Sequence, residues 1–462
     1  MKIEDLKGKK IAILGFGKEG KSTLDFLLKN GVNTKDITVL DHYSEGTSNP
    51  SLVPLNRGGR HPDLIGMAGG ATATGITFIS GENYLDNLGQ FDVIIKSPGI
   101  SPYNPKISPY KEKLTSQIQI FFDNYNGKVI NITGTKGKST ISTLAYETLK
   151  KAGYKVKLLG NIGIPVLGEI NFNKNEYDFI VFETSSYMLE GLKKKNYISI
   201  LSNIYEDHLD RHNGFENYKN AKLNILSGSE HSIVLDYTFK KYIPKGSEAG
   251  IKIFGKNGDY YFKDGNFYSN GKIVFDENGI RLLGEHNRIN VCAILGICDI
   301  IGINPKILKE VLIEFNPLPH RLEFVGNFKG IDFYDDAIST TPESTIEAIK
   351  IFSKNIGTIF LGGLDRGYSF ENLVKLIIES EIKNFVLFPE TGVKIKKLLP
   401  DSARILETKN MKEAVEFAYK NTPAGKVCLL SCASPSYSIW KNFEEKGNEF
   451  KKWVAKIGTI GK

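Results

Sequence analysis

The chain has 462 residues, of which 41% are hydrophobic and 24% charged, with a formal net charge of +8. At roughly 150 residues per domain, this length predicts about three domains. The longest apolar stretch, "VCAILGICDIIGI", is too short for a membrane span, and the charged start "MKIEDLKGKK" does not resemble an export signal. We therefore expect a cytoplasmic protein without membrane insertion. Because the lysines are spread along the chain, the positive charge favours acidic small molecules over nucleic acid as partners.

The N-terminal block, residues 1–125, opens with "KKIAILGFGKEGKSTLDFLLKNG", in which a short strand leads into a helical pattern. "GFGKEG" matches GxGxxG, and Asp41 ends the next predicted strand, where a ribose-binding acid would lie. The N-terminus of such a helix binds nucleotide diphosphates in general. The motif therefore leaves two functions open, a nicotinamide-dependent dehydrogenase and a domain for another nucleotide. Residues 45–75 lack periodicity and are predicted to form a mobile loop.

The central block, residues 126–316, begins with an apolar strand that leads into "GTKGKST". Glycines let backbone N–H groups face an anion, Lys138 adds a positive charge, and a hydroxyl of Ser139 or Thr140 can reach magnesium. Two residues separate the glycines, fewer than in the usual phosphate loop. The predicted nucleotide-phosphate contacts are Gly134, Thr135, Lys136, Gly137, Lys138, Ser139 and Thr140.

Further residues of this block suit the same site. The strand "YDFIVFE" ends at Glu183, a carboxylate placed to complete a magnesium–nucleotide site. "NIYEDHLDRH" then offers a dense group of acids and histidines, and we predict metal ligation through His208. The spacing alone leaves the role of Lys222 open. Between residues 251 and 284, Asn-Gly and Asp-Gly turns predict a small antiparallel meander.

The C-terminal block, residues 317–462, begins near "NPLPHRLEF" and repeats the strand–helix rhythm in "GTIFLGGLD", "NFVLFPETG" and "KVCLLS". The sequence thus predicts an α/β protein of three domains: a Rossmann-like N-terminal domain, a central P-loop ATPase-type domain with the meander, and a Rossmann-like C-terminal domain. The cysteines lack the spacing of a disulfide framework or a zinc site, so we expect reduced core residues. They are Cys292, Cys298, Cys428 and Cys432.

Taken together, these motifs resemble the Mur ligases, the ATP-dependent amide-forming enzymes of peptidoglycan precursor synthesis. The similarity extends over nearly the whole chain and follows the family's order: "TGTKGKST", "GNIGIP", "ETSSYMLE", "NIYEDHLDRH", "GEHNRIN", "PHRLE" and "LGGLDRG". "SPGI", "PHRLE" and "NFEEKGNEF" are similar to the branch that adds glutamate to UDP-N-acetylmuramoyl-L-alanine. The N-terminal nucleotide domain argues against the related folylpolyglutamate synthases, which look like Mur ligases without it.

The resemblance implies that ATP converts the alanyl carboxylate of the substrate into an acyl phosphate, which the amine of glutamate then attacks. The implied catalytic and magnesium-binding residues are Lys138 at the γ-phosphate, Ser139 and Glu183 at one ion, and His208 and Lys222 at a second, with Lys222 as a carbamate. Further implied nucleotide contacts are Asn287, Asn290, Arg321 and Asp336. The implied UDP-sugar contacts are Asp41, Gly99, Asn161 and Ser185, and the implied amino-acid contacts are Thr340, Arg366, Ser436 and Phe443. The expected cofactors are ATP and Mg²⁺, and a monomer is expected.

The amino-acid region departs from the family's pattern. Where the D-glutamate enzymes typically read "NDSKATN", this chain has "DDAISTT" at residues 335–341, so the family's lysine is Ile338. Arg366 stands where a lysine is usual, and Met188 where a glutamine is common. Because arginine binds a carboxylate bidentately and lysine offers a point charge, the amino-acid site differs in kind. A variant branch that uses L-glutamate resembles this region too, so both enantiomers stay open.

Three other functions make different predictions. A dehydrogenase would leave the second phosphate loop, Glu183 and the cluster at residues 206–222 without a use. A nucleotide-dependent regulator, which hydrolyses ATP only to change shape, predicts turnover independent of any amino acid. A Mur-type ligase for another amino acid would keep the phosphate site and respond to neither glutamate enantiomer.

Overall fold

The structure is a computed structural model that describes residues 1–42, 75–161, 165–172, 174–246, 249–280, 282, 284–315 and 319–459. The chain forms two compact units: one consists of Met1–Gly279 with Glu285–Ile313, the other of Ile280–Gly284 with Glu314–Lys462. The loop predicted at residues 45–75 lies outside the described residues, except for Gly75. Over the described ranges, we find no helix with the length and apolar character that a membrane span requires.

The first unit begins with a five-stranded parallel sheet of spatial order β3-β2-β1-β4-β5. Its strands are β1 (Ile11–Leu14), β2 (Ile37–Asp41), β3 (Thr77–Ser80), β4 (Val93–Lys96) and β5 (Leu114–Thr115), with helices α1 (Lys18–Lys29) and α2 (Gln117–Asn124). All four residues of β1 are buried, as expected for a parallel strand covered on both faces. The glycine-rich loop joins β1 to α1, so it lies at the same sheet edge as Asp41 at the end of β2.

A second, nine-stranded sheet follows in the same unit, in the order β14-β13-β12-β11-β10-β9-β6-β8-β7. Its strands are β6 (Val129–Thr133), β7 (Val156–Gly160), β8 (Phe179–Glu183), β9 (Asn196–Leu201), β10 (Ser229–Leu235), β11 (Ile251–Phe254), β12 (Tyr260–Lys263), β13 (Asn266–Ser269) and β14 (Lys272–Asp276). The helices are α3 (Lys138–Lys151), α4 (Ser186–Leu189), α5 (Leu209–His212), α6 (Phe215–Leu223), α7 (Asp236–Tyr242), α8 (Glu285–Ile301) and α9 (Pro305–Glu314). Strands β6, β8 and β9 are parallel neighbours, so their carboxyl ends meet at one edge.

The meander prediction is correct for part of its range and wrong for its first strand. β12, β13 and β14 pair antiparallel, as the Asp-Gly and Asn-Gly turns predict. β11 instead pairs parallel with β10, because α7 provides a crossover connection between these two strands. After β14, the described residues up to α8 contain no strand.

The second unit contains a six-stranded sheet in the order β15-β16-β20-β17-β18-β19. The strands are β15 (Glu323–Phe328), β16 (Ile331–Asp335), β17 (Ile356–Gly362), β18 (Asn384–Phe388), β19 (Arg404–Glu407) and β20 (Val427–Leu430). The helices are α10 (Pro342–Phe352), α11 (Glu371–Glu379), α12 (Thr391–Lys396), α13 (Met411–Asn421) and α14 (Phe443–Thr459). All pairs are parallel except β15 with β16. α10 begins with a capping box between Thr341 and Ser344, with Pro342 in the first turn.

The three sheets found in the described ranges confirm the predicted α/β class. The domain boundaries at residues 125/126 and 316/317 stay predictions. All four cysteines are buried and free, which confirms the expectation of reduced core residues.

Gly296 provides a test of how closely α8 packs on the second sheet. A Cβ atom at this position would lie 2.8 Å from Ile233 Cδ1 and 3.0 Å from Tyr260 Cε2. Although alanine favours a helix, overpacking should dominate, and we expect Gly296→Ala to lower the free energy of unfolding by about 1–2 kcal/mol. Urea unfolding followed by circular dichroism measures the change. Gly168→Ala is the control, since its Cβ would meet only Ser22 Oγ, at 3.7 Å; equal effects in both variants would contradict the packing argument.

Candidate active site

The phosphate loop joins β6 to α3 in a tight turn at the N-terminus of the helix. Gly137 has a φ of 88°, a left-handed conformation that favours glycine. At Gly134, an added Cβ would lie 1.7 Å from Ser202 Oγ, so only glycine fits there. Backbone N–H groups at a helix N-terminus form a binding site for an anion. The loop therefore has the backbone geometry that the predicted phosphate site requires.

Asn203, which the sequence reasoning missed, holds this loop from the neighbouring strand. Its backbone carbonyl accepts a hydrogen bond from Thr135 N at 2.7 Å, and its Oδ1 accepts one from Lys136 N at 2.7 Å. Thr135 Oγ1 also lies 2.7 Å from Tyr218 OH. The backbone N–H groups of Thr135 and Lys136 and the Thr135 hydroxyl thus hold the loop in its conformation. The available signal was the position of Asn203 just after β9, the strand beside β6.

Two lysines converge on one carbonyl of the loop. Lys138 Nζ donates to Gly134 O at 2.9 Å, and Lys222 Nζ donates to the same oxygen at 2.8 Å. Lys222 is 2% exposed. Burial, together with the nearby charge of Lys138, holds the pKa of Lys222 well below its usual range, against the opposing effects of Asp207 and Glu183. The structure therefore brings Lys222 into the phosphate site, although the spacing alone did not predict its role.

Glu183, at the end of β8, is fully buried beside this loop. Its Oε1 accepts a hydrogen bond from Asn161 Nδ2 at 2.9 Å, whereas Oε2 is buried with no hydrogen-bond partner among the described residues. A buried, unpaired carboxylate oxygen is costly unless a cation binds it. Since carboxylate oxygens are the ligands that magnesium prefers, Glu183 fits the predicted ion. Asn161, predicted to contact the UDP-sugar, lies against Glu183.

The remaining predicted metal ligands lie on adjoining elements. Ser139 and Thr140 are in the first turn of α3, and Thr140 is buried. His208 precedes α5 with a φ of 52°, and its Nε2 lies 3.6 Å from Asp207 Oδ2. Partial burial lowers the pKa of His208, with the charges of Lys222 and Lys138 acting in the same direction and Asp207 against them. The neutral imidazole that ligates metals is thereby favoured.

Two asparagines of α8 lie over the phosphate loop. Asn290 Nδ2 donates to Asn287 Oδ1 at 3.2 Å, and both side chains are buried. A Cβ added at Gly137 would lie 2.6 Å from Asn290 Oδ1. The predicted nucleotide residues Asn287 and Asn290 thus lie next to the loop. The close approach of Asn290 depends on the absence of a side chain at Gly137.

The residues predicted for the UDP-sugar support backbone turns in the first unit. Asp41 Oδ2 accepts a hydrogen bond from Phe16 N at 3.0 Å, which fixes the glycine-rich loop. The Gly99 carbonyl accepts one from Arg211 Nε at 3.3 Å. Ser185 caps α4 by accepting from Met188 N at 3.3 Å.

In the second unit, Asp336 lies just after β16 and is buried. Its Oδ2 accepts from Ser431 Oγ at 2.8 Å, and its Oδ1 accepts from Leu322 N at 3.2 Å. Burial raises the pKa of Asp336 to about 6, although hydrogen bonds from Ser339 and Ser431 and the charge of Arg321 oppose the shift. Arg321 and Asp336, both predicted nucleotide contacts, are thus close enough to interact electrostatically.

The residues predicted for the amino acid differ in exposure. Arg366 is exposed and Thr340 is half-buried just before α10. Ser436 is 3% exposed, and its Oγ has no hydrogen-bond partner within the described ranges. Phe443 begins α14, and its ring centroid lies 5.9 Å from that of His320. Ile338, at the family's lysine position, uses its backbone N–H to donate to His320 O at 3.2 Å.

The raised pKa of Asp336 predicts a pH-dependent stability of the second unit. Because the folded state holds this proton up to about pH 6 and the unfolded state only to about 3.8, its contribution is complete below 3.8 and is lost as the pH rises through 6. Relative to Asp336→Asn, the wild type should lose on the order of 3 kcal/mol between pH 4 and 7. Tryptophan fluorescence during urea unfolding reports this unit, because Trp440 and Trp453 both lie in it. Exposed Asp401→Asn is the control; parallel pH curves for Asp336→Asn and wild type would contradict the prediction.

The chain was compared with known proteins. Residues 132–298 match the Mur ligase middle domain. The UDP-N-acetylmuramoylalanine–D-glutamate ligase of Acetivibrio thermocellus is 31% identical over 98% of this chain and 97% of its own length. The ligase of the same name from Buchnera aphidicola subsp. Acyrthosiphon pisum is 33% identical over 97% of this chain and 98% of its own length.

Solved structures share the fold. UDP-N-acetylmuramate-alanine ligase MurC of Thermotoga maritima aligns with a TM-score of 0.57 at 18% identity, covering 97% of this chain and 99% of that one. MurF ligase of Thermotoga maritima, solved in complex with ADP, aligns with a TM-score of 0.57 at 15% identity, covering 98% and 97%. With end-to-end relatives above 30% identity and a matching central domain, the chain belongs to the Mur ligase family.

Proposed function

We propose that the protein is an ATP-dependent ligase that joins glutamate to UDP-N-acetylmuramoyl-L-alanine in peptidoglycan precursor synthesis. The observation that carries this proposal is the group at the phosphate loop, where two lysines share the Gly134 carbonyl. Beside them lies the buried carboxylate of Glu183, one oxygen of which has no hydrogen-bond partner among the described residues. Such a group suits a magnesium nucleotide. The relatives that match end to end are named for the glutamate reaction.

The first unit supplies the groups that bind the phosphates of ATP. The N–H groups at the start of α3 face the phosphates, and Lys138 turns from the loop carbonyls to the γ-phosphate. Asn287 and Asn290, held beside Gly137, orient the nucleotide in this unit. Arg321 and Asp336 stay predicted nucleotide contacts within the second unit. Once the alanyl carboxylate has been phosphorylated, the acyl phosphate offers a good leaving group to the amine of glutamate.

Magnesium fits the residues on the adjoining strand ends and loops. Glu183 and Ser139 would hold one ion, and His208 with Lys222, as its carbamate, would hold a second. Bound magnesium would neutralise the charge that grows on the transferred phosphoryl group. The burial of Lys222 excludes water from its amine, and Asn203 keeps the loop in place around it.

We propose D-glutamate as the amino acid, because the full-length relatives are named D-glutamate ligases. Ile338 and Arg366 favour L-glutamate as the second candidate, since the lysine usual in D-glutamate enzymes is absent from this loop. In either case Arg366 would bind a carboxylate of the amino acid, with Thr340, Ser436 and Phe443 completing the site. The hydroxyl of Ser436, which has no hydrogen-bond partner within the described ranges, could donate a hydrogen bond to that carboxylate. A cytoplasmic monomer belongs to the same proposal.

Phosphate release by the purified protein tests the function, with the product identified by mass spectrometry. The reactions contain ATP, Mg²⁺ and UDP-N-acetylmuramoyl-L-alanine, with D-glutamate, L-glutamate or no amino acid. Stimulation by D-glutamate alone supports the first candidate, and stimulation by L-glutamate alone supports the second. Equal turnover in all three reactions would favour the nucleotide-dependent regulator, and no stimulation by either enantiomer would refute the glutamate assignment.

Lys138→Ala should abolish phosphate release, because the γ-phosphate loses the cation that would contact it. We expect a loss of at least about 100-fold in kcat. Lys150→Ala, an exposed lysine on the same helix, is the matched control and should retain wild-type turnover. Retained turnover in Lys138→Ala would refute the role of this lysine.

Arg366→Ala should chiefly raise the KM for glutamate, by about tenfold, because a bidentate carboxylate contact is lost. Arg366→Lys should lie between the wild type and the alanine variant, and the KM for ATP should change little. Steady-state kinetics with each substrate varied in turn measures both constants. Arg404→Ala, an exposed arginine of the same unit, is the control; unchanged glutamate kinetics in Arg366→Ala would refute the carboxylate contact.

A further inference from the structure

The turn at residues 97–101, just after β4, wraps around one distant side chain. Arg211 Nη2 donates to Pro98 O at 2.7 Å and to Ile100 O at 2.8 Å, and its Nε donates to Gly99 O at 3.3 Å. The side chain of Arg211 is only 10% exposed. Three successive carbonyls of the turn are thus directed at one guanidinium group, whose planar fork of donors suits several acceptors at once.

The opposite side of the turn rests on the glycine-rich loop. Ser97 Oγ donates to Gly15 O at 3.1 Å, and Lys96 Nζ donates to Ile100 O at 2.8 Å. Burial, with the charge of Arg211 acting in the same direction, lowers the pKa of Lys96 to about 8, although Glu190 and Glu19 oppose the shift. The Ile100 carbonyl therefore accepts from two cations, and the turn is held between the GxGxxG loop and Arg211.

Glu190 also contacts the guanidinium group of Arg211. Its Oε2 accepts from Arg211 Nη1 at 3.2 Å, and its Oε1 lies 3.5 Å from His212 Nδ1. Burial alone would raise the pKa of Glu190, but the neighbouring His212, Arg211 and Tyr103 outweigh it and lower that pKa. His212 Nε2 in turn lies 2.9 Å from Ser186 Oγ. The carboxylate of Glu190 thus helps to hold Arg211 in its orientation.

The same short helix connects Arg211 to the candidate metal ligand. His208 directly precedes α5, and the His208 carbonyl accepts from His212 N at 3.2 Å. The Tyr187 ring lies between the two side chains, 4.8 Å from the Arg211 guanidinium carbon and 5.2 Å from the His208 ring centroid. One short helix and one aromatic ring therefore connect Arg211 to the segment that carries His208.

We propose that Arg211 is a positioning residue, which sets the shape of the 97–101 turn for the UDP-linked substrate and ties that turn to the His208 segment. The inference rests on the proposed function and on the predicted contact of Gly99 with the UDP-linked substrate. Arg211 does not itself touch the reacting atoms in this account. Lysine would keep the charge but lacks the fork that reaches three carbonyls, so charge alone should not replace it.

The test compares Arg211→Met and Arg211→Lys with the wild type in the full chain. Calorimetry measures the binding of UDP-N-acetylmuramoyl-L-alanine and, separately, of magnesium ADP. Phosphate release gives kcat and the KM values for the UDP-linked substrate and for ATP. We expect Arg211→Met to weaken binding of the UDP-linked substrate, and raise its KM, by about tenfold or more, with ADP affinity within about twofold. Arg211→Lys should recover only part of the loss. Lys157→Met, which removes the cation of a partly exposed ion pair with Glu169, is the control and should bind both ligands normally.

The outcomes separate this inference from the proposed function. If the wild type binds the UDP-linked substrate and both Arg211 variants bind it with the same affinity, the positioning role is refuted and the proposed function stands. Equal losses of UDP-substrate and ADP affinity, or full recovery by lysine, would also refute it. If the wild type does not bind the UDP-linked substrate, the proposed function fails and this inference fails with it. If Arg211→Met does not fold, Arg211→Lys serves as the test, through its affinities for the UDP-linked substrate and for magnesium ADP relative to the wild type.

Discussion

The Gly134 carbonyl accepts hydrogen bonds from two lysines, Lys138 and Lys222, and this shared acceptor constrains the first unit. The side-chain nitrogens of both lysines are directed at one buried oxygen. Burial, together with the charge of Lys138, holds the pKa of Lys222 well below its usual range. Glu183 and Asp207 compensate part of the charge, but one oxygen of Glu183 has no hydrogen-bond partner among the described residues. A polyphosphate would pair with Lys138, and a divalent cation would pair with the carboxylate. The charged groups at the loop thus suit an anion bound together with a divalent cation.

Keeping the lysines on this carbonyl requires close backbone contacts. Gly134 approaches Ser202 and Gly137 approaches Asn290, at distances where any side chain would collide. Asn203 then fixes the loop through two backbone N–H groups. Because β6, β8 and β9 are parallel neighbours, the loop, Glu183 and the His208 segment follow carboxyl ends of strands at one edge. This is the edge at which ligands bind in open parallel sheets.

Much of this arrangement could be predicted from the sequence, because its parts are local. The phosphate loop follows an apolar run, and Glu183 and Asp41 each end one, so each is placed at the carboxyl end of a predicted strand. The roles of Arg211 and Asn203 were not predicted, because they depend on contacts that are not local in sequence. Their partners are backbone carbonyls and N–H groups far away in sequence, and a backbone group leaves no residue-type signal. The parallel pairing of β11 was missed because the Asn-Gly turn after it resembles a hairpin, whereas α7 before it determines the direction. Asp336 shows the same limit, since its pKa depends on burial and on Ser431, a residue in another strand–helix connection.

The central claim, that the buried charges at the loop form a magnesium–nucleotide site, is tested most directly by thermal unfolding of the wild type and Glu183→Gln with and without magnesium ADP. A ligand that binds only the folded state raises the melting temperature. The account predicts that magnesium ADP stabilises the wild type and that Glu183→Gln responds much less, because the unpaired oxygen that would bind the ion is replaced. Glu169→Gln, at a partly exposed ion pair with Lys157, should respond as the wild type does. Equal stabilisation of Glu183→Gln and wild type, or none in either, would contradict the claim.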